Sequence, residues 1–158
     1  MRSKQGFGGE SGLTLIELLI VIALMAILAT ISMMGFKAYS QAQAHRGAQR
    51  EVVAILRNTQ LRAATEVATY QCRFTTTTLT IFRDTSSPPT TTPTKTYTLN
   101  SMLEFVNTTF THSSGLVDSN CLFFARGSAT PGSATIRRTD TGKDLTITVE
   151  GLTGRVGY

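Results

Sequence analysis

Histidine and cysteine are scarce in this chain, two of each in 158 residues, and charged side chains make up only 16% of it. His45, Cys72, His112 and Cys121 stand far apart, and no Cys/His cluster has the spacing of metal ligands, so no metal site is expected. Six carboxylates follow residue 68, namely Asp84, Glu104, Asp118, Asp140, Asp144 and Glu150, and none forms an acid/base pair in sequence. There is no nucleophile motif and no phosphate-binding loop, which argues against an enzyme and against a cofactor. Proline is missing from residues 37–68, and glycine occurs there once, at Gly47. Nothing in that stretch forces a helix to stop.

What the chain does have is one long apolar run. From Leu13 to Phe36 there are 24 residues, and Glu17 is the only ionisable one. That length crosses a hydrocarbon core of about 30 Å as a helix. A carboxylate in such a segment costs roughly 2.5–3.5 kcal/mol on insertion scales and so asks for a partner. A secretory signal would have a shorter apolar stretch, although Arg2 and Lys4 supply a basic leader and Ala42-Gln43-Ala44 would pass as a cleavage site. A plain membrane anchor leaves Glu17 unexplained.

The run Gly12-Leu13-Thr14-Leu15-Ile16-Glu17-Leu18-Leu19-Ile20-Val21 resembles the class III signal of type IV pilins and pseudopilins. The resemblance implies cleavage between Gly12 and Leu13 by a prepilin peptidase, followed by N-methylation of Leu13, which stands where the family usually has phenylalanine. Glu17 then falls fifth in the mature chain. In a helical filament, the resemblance implies, it faces the amino terminus of a neighbouring subunit, and each group offsets the other's desolvation. The new α-amino group, titrating at about 7.7–8.0, is mostly cationic at neutral pH. Loss of residues 1–12 removes Arg2, Lys4 and Glu10, leaving 13 basic and 9 acidic side chains, a net charge of +4. That balance favours polyanions or anionic lipid only weakly.

Beyond Phe36, Val52, Val53, Leu56, Ala63, Ala64 and Val67 recur near the helical period, with Lys37, Arg46, Arg50, Arg57 and Arg62 around them. One helix of roughly 55 residues is therefore expected, its second half amphipathic. In the apolar half, any bend depends on Gly35. From Thr69 the composition turns to threonine and alternating apolar residues. Strands are expected at 70–75, 78–83, 95–99, 103–109, 121–126, 134–139 and 145–150, building an antiparallel sheet with one face on the core. Residues 85–94, with three prolines, form a loop, and Asp140-Thr141-Gly142-Lys143 forms a hairpin turn.

The fold class is thus α+β and pilin-like, a long N-terminal helix packed on an antiparallel head. Its parts are a leader (1–12), a transmembrane or filament-core half-helix (13–36), an amphipathic half-helix (37–68) and a β-rich head (69–158). Leu122-Phe123-Phe124-Ala125-Arg126-Gly127, the turn at Pro131-Gly132 and the closing Gly154-Arg155-Val156 resemble the GspH/FimT group of minor pseudopilins and minor pilins. So does the helix stretch Leu56–Ala64.

That resemblance implies a subunit of a type II secretion pseudopilus or of a type IV pilus. It would sit in the bacterial inner membrane as a single-pass protein with a periplasmic head, then enter a periplasmic or cell-surface filament. Its implied partners are the peptidase, other pilin-like subunits, the inner-membrane assembly platform and, before assembly, membrane lipid. Some members of the group bind DNA through a Gly-Arg-x-Arg ending. Here Gly157 replaces the second arginine, and Arg137, Arg138 and Lys143 are the cations that could join Arg155 in a basic patch. Cys72 and Cys121, both expected outside the cytoplasm, are either a disulfide or two buried thiols.

Overall fold

A computed structural model describes residues 14–83 and 92–158. Gly12, Leu13 and most of the expected 85–94 loop lie outside the described residues. The chain divides into two compact units, Met1–Gln41 and Ala42–Tyr158. A single helix, α1 (Leu15–Thr65), contributes to both.

The helix starts where its sequence can cap it. Thr14 precedes the first turn; the Glu17 N–H donates to Thr14 Oγ1 at 3.3 Å, and the Leu18 N–H donates to the Thr14 carbonyl at 3.2 Å. Thr-x-x-Glu is the spacing of a capping box. The backbone stays helical through Gly35, and the apolar side chains of the first unit are exposed, from Leu15 at 78% to Val21 at 40%. By length and composition this part of α1 is able to cross a membrane.

The helix ends in a C-terminal wrap. The Ala68 N–H donates to the Ala63 carbonyl at 3.1 Å, while Val67 takes φ +49°. Glycine normally fills this left-handed position, because a β-branched residue there is crowded. Val67 is 78% exposed and gains nothing from packing. Val67→Gly is therefore expected to raise stability by about 1 kcal/mol, read as a higher urea midpoint for the full chain in detergent. An unchanged or lower midpoint would refute the strain argument.

Among the described residues nine strands follow: β1 (Tyr70–Phe74), β2 (Thr78–Phe82), β3 (Lys95–Thr98), β4 (Leu103–Thr111), β5 (Val117–Asp118), β6 (Asn120–Phe123), β7 (Gly132–Arg138), β8 (Asp144–Val149) and β9 (Val156–Gly157). They form two antiparallel sheets, ordered β3-β2-β1-β6 and β5-β4-β7-β8-β9, where the alternation of the sequence had suggested one. The chain changes sheet at Ser119, between β5 and β6. Asp118 pins that corner. Its carboxylate accepts from the Asn120 backbone N–H at 2.7 Å, the Asn120 side-chain amide at 2.8 Å and His112 Nε2 at 2.9 Å. Burial opposes the Asp118 charge, but these bonds outweigh it, and the carboxyl sits below its ordinary value.

The core lies between the sheets and under the helix. Phe74 of β1 meets Phe105 and Phe110 of β4 with ring centroids 5.2 and 5.5 Å apart. From the helix come Ala48, Val52, Val53, Ile55, Leu56 and Ala63. The expected apolar stripe is corrected at its C-terminal end, since Ala64 and Val67 are exposed.

The same helix face carries polar groups that bond to carbonyls of the head. His45 Nε2 donates to the Ile136 carbonyl at 2.9 Å, which requires the proton on that nitrogen. The Gln49 amide donates to Thr146 at 3.0 Å, and Arg57 donates twice to Val156, at 3.2 and 2.9 Å. The Gln60 amide reaches both Gly127, at 3.1 Å, and Thr153, at 2.9 Å. These hydrogen bonds fasten the second half of α1 to the head at several levels along its length.

Candidate functional site

Two segments bear on function, one in each unit. In the first, Glu17 lies in the first turn of α1, where a carboxylate is favoured by the helix dipole by about 0.3–1 kcal/mol. It is surrounded by exposed apolar side chains: Ile16 at 67%, Leu18 at 56% and Ile20 at 54%. Among the described residues no side chain pairs with its carboxylate. This acid at the head of an apolar helix thus has no cationic partner among the described residues. The capping role of Thr14, whose hydroxyl accepts from the Glu17 backbone N–H, was missed in the sequence reading, although the Thr-x-x-Glu spacing was its visible signal.

In the second unit, the closing Gly154-Arg155-Val156 divides its roles residue by residue. Gly154 has φ +62°, and a Cβ built on it would lie 2.2 Å from the Gly127 carbonyl oxygen and 2.5 Å from Gln60 Nε2. Val156 is 1% exposed and completes the core. Arg155 holds the turn with its backbone: its N–H donates to Thr153 Oγ1 at 3.1 Å and its carbonyl accepts from Glu150 at 2.9 Å. Its guanidinium is exposed and, among the described residues, has no hydrogen bond or ion pair.

The other three cations do not gather around Arg155. Arg137 forms a two-pronged pair with Asp144 across the β7–β8 hairpin, at 2.8 and 2.9 Å. Arg138 does the same with Asp140 at 3.0 and 2.6 Å and is itself buried. Each carboxyl is held below its ordinary value, first by the hydrogen bond from its arginine. Lys143 is exposed in the hairpin turn. The expected patch is corrected by the topology. β7 meets the helix near His45, whereas the Arg155 turn meets it near Gln60. Fifteen residues of helix separate those levels, roughly 22 Å.

Cys72 and Cys121 are brought together. They face each other in the β1–β6 register and both are fully buried. Burial pushes the Cys72 thiol up to about 12; burial and then the neighbouring Cys72 push the Cys121 thiol well above its ordinary value. Among the described residues, no group of three or more His, Cys, Asp or Glu side chains is placed to hold a metal ion.

Comparisons with known proteins agree with this division. A family model, the prokaryotic N-terminal methylation motif, matches residues 9–33. The fold is similar to the minor pseudopilin EpsH from the type 2 secretion system of Vibrio cholerae, with a TM-score of 0.54 and 15% identity over 72% of this chain and 94% of that one. It is similar also to the type IV minor pilin FimU of Pseudomonas aeruginosa, with a TM-score of 0.55 and 15% identity over 75% of this chain and 90% of that one. No curated protein sequence matches the chain. This chain therefore joins a prokaryotic N-terminal methylation motif to the fold of minor pilins and pseudopilins.

Proposed function

We propose that the chain is a minor subunit of a type II secretion pseudopilus or a type IV pilus, working through subunit contacts rather than catalysis. The observation that carries this reading is the methylation motif at residues 9–33 running directly into an exposed apolar helix whose first turn holds the single carboxylate of Glu17. A prepilin peptidase removes residues 1–12, and Leu13 becomes the methylated amino terminus. The helix first lies in the inner membrane with the head in the periplasm. It is then drawn by the assembly platform into a filament, where neighbouring pilin-like helices replace lipid around its apolar side chains. Both similar folds belong to minor filament subunits, which supports a supporting role in assembly over that of a bulk subunit.

A DNA-binding role draws less support. Phosphate contacts need several convergent cations at physiological salt. Arg137 and Arg138 are occupied by Asp144 and Asp140, while Arg155 and Lys143 belong to opposite ends of β8.

Intact mass of the protein recovered from native membranes tests the proposal. The expected mass lacks residues 1–12 and carries one added methyl group. A full-length mass, or cleavage after Ala44, would leave an anchored or exported β-rich protein and no filament subunit.

A further inference from the structure

We propose that the head carries a phosphate-binding site where α1 meets the β7–β8 hairpin, with Arg46 and Lys143 as its two cations. A cavity of about 270 Å³ opens there, lined by His45 and Arg46 of the helix and by Arg138, Lys143 and Asp144 of the hairpin. All of these residues lie in the second unit.

Backbone contacts hold both cations in place. On the helix side, His45 Nε2 donates to the Ile136 carbonyl of β7 at 2.9 Å, and the Gln49 amide donates to the Thr146 carbonyl of β8 at 3.0 Å. These bonds fix the turn of helix between them, which includes Arg46. His45 is buried, whereas Arg46 is exposed. On the hairpin side, the Gly142 N–H donates to the Arg138 carbonyl at 2.8 Å, and the Arg138 N–H donates to the Lys143 carbonyl at 2.9 Å. Gly142 takes φ +63°, a left-handed step that lets the turn close this tightly. Lys143 comes directly after it.

The charge balance of the walls points to an anion. Arg138 is buried, but its guanidinium is already matched by Asp140, at 3.0 and 2.6 Å. Asp144, the acid in the lining, is matched in turn by both prongs of Arg137, at 2.8 and 2.9 Å. Arg46 and Lys143 are left over, with no hydrogen bond or ion pair among the described residues. Two unmatched cations on one cavity repel each other, and an anion between them replaces that repulsion with two attractions. A guanidinium fits two oxygens of an oxyanion at once, and an ammonium acts as a point charge. A tetrahedral phosphate has oxygens left to meet Lys143 from the hairpin wall, where a planar carboxylate would spend both on Arg46. Two sources offer that chemistry, the headgroup of an anionic lipid and free phosphate. The inference goes beyond the proposed function and stands without it, since the site needs neither leader removal nor a filament.

The full chain in a non-ionic detergent is titrated with inorganic phosphate, and separately with dihexanoyl phosphatidylglycerol, at constant ionic strength. The backbone amide resonances of residues 45–46 and 142–144 are followed by NMR, and saturable shifts centred on them are expected. The Arg46→Gln, Lys143→Gln double variant keeps its fold, because both side chains are exposed and unpaired. It is expected to bind at least about tenfold more weakly. An Arg50→Gln, Arg155→Gln variant removes the same charge from exposed positions outside the cavity and is expected to bind as the unaltered chain does. Saturation with inorganic phosphate supports a site for the phosphate group itself, and saturation with the lipid alone supports a headgroup site. No saturable shift with either probe, or an equal loss in the two variants, would overturn the proposal. An uncleaved leader would end the filament reading and leave the phosphate site standing.

Discussion

Gly154→Ala is expected to lower the stability of the full chain by about 3–5 kcal/mol, whereas Arg155→Ala beside it changes stability by less than about 0.5 kcal/mol. Two separate costs fall on the alanine. At φ +62° an L-residue with a Cβ is strained by roughly 1–2 kcal/mol. The new methyl would also lie 2.2 Å from the Gly127 carbonyl oxygen, a backbone atom that cannot swing away as a side chain can. Relieving that contact means moving Gly127 from Gln60, whose amide bonds to Gly127 and Thr153 and anchors the turn to the helix. Val156 follows two residues later and is buried, so the displacement reaches the core. Urea unfolding in detergent, followed by near-ultraviolet circular dichroism of the tyrosines, measures both variants. Equal, small effects would mean that the turn gives way freely and that Gly154 is not the structural member of the Gly-Arg-Val ending.

That division of labour was only half legible in the sequence. The terminal Gly-Arg-Val stood out as a motif, but which residue served the fold depended on a close approach between segments 27 residues apart, Gly127 and Gly154. The helix and seven strands were readable because the helix and several of the strands carry their own periodicity and turn formers bound the rest. β5 and β9 were not, since two residues have no period and pair only because a longer neighbour is already in place. The split into two sheets escaped for a related reason. The chain crosses between the sheets three times, after β3, at Ser119 and after β6, and hydrophobic alternation contains no record of which strands pair. The basic patch failed through register. The hairpin turn at residues 140–143 was visible, but only the pairing of Arg137 with Asp144 reveals that one of the cations is already neutralised. The N-terminal segment was the most legible part, because its signal is local: one carboxylate in an apolar run.

The same segment carries the largest expected effect. Glu17→Ala is expected to leave membrane insertion and leader removal intact while lowering incorporation into filaments at least tenfold. Insertion becomes easier without the charge, by roughly 2.5–3.5 kcal/mol on insertion scales, so a loss at assembly cannot be blamed on export. The capping arrangement at Thr14 offers a competing account, in which Glu17 merely starts the helix. Glu17→Gln separates the two. Glutamine serves at the third position of a capping box almost as well as glutamate, yet it brings no charge to a neighbour's α-amino group. If charge pairing between subunits is the role, the glutamine variant fails as the alanine does, and both accumulate as processed, membrane-bound monomers. Quantifying the subunit in sheared filaments against the membrane pool decides it. A glutamine variant that assembles normally would assign Glu17 to the helix start alone. The cation that its exposed carboxylate calls for would then have to be sought in the chain's own amino terminus.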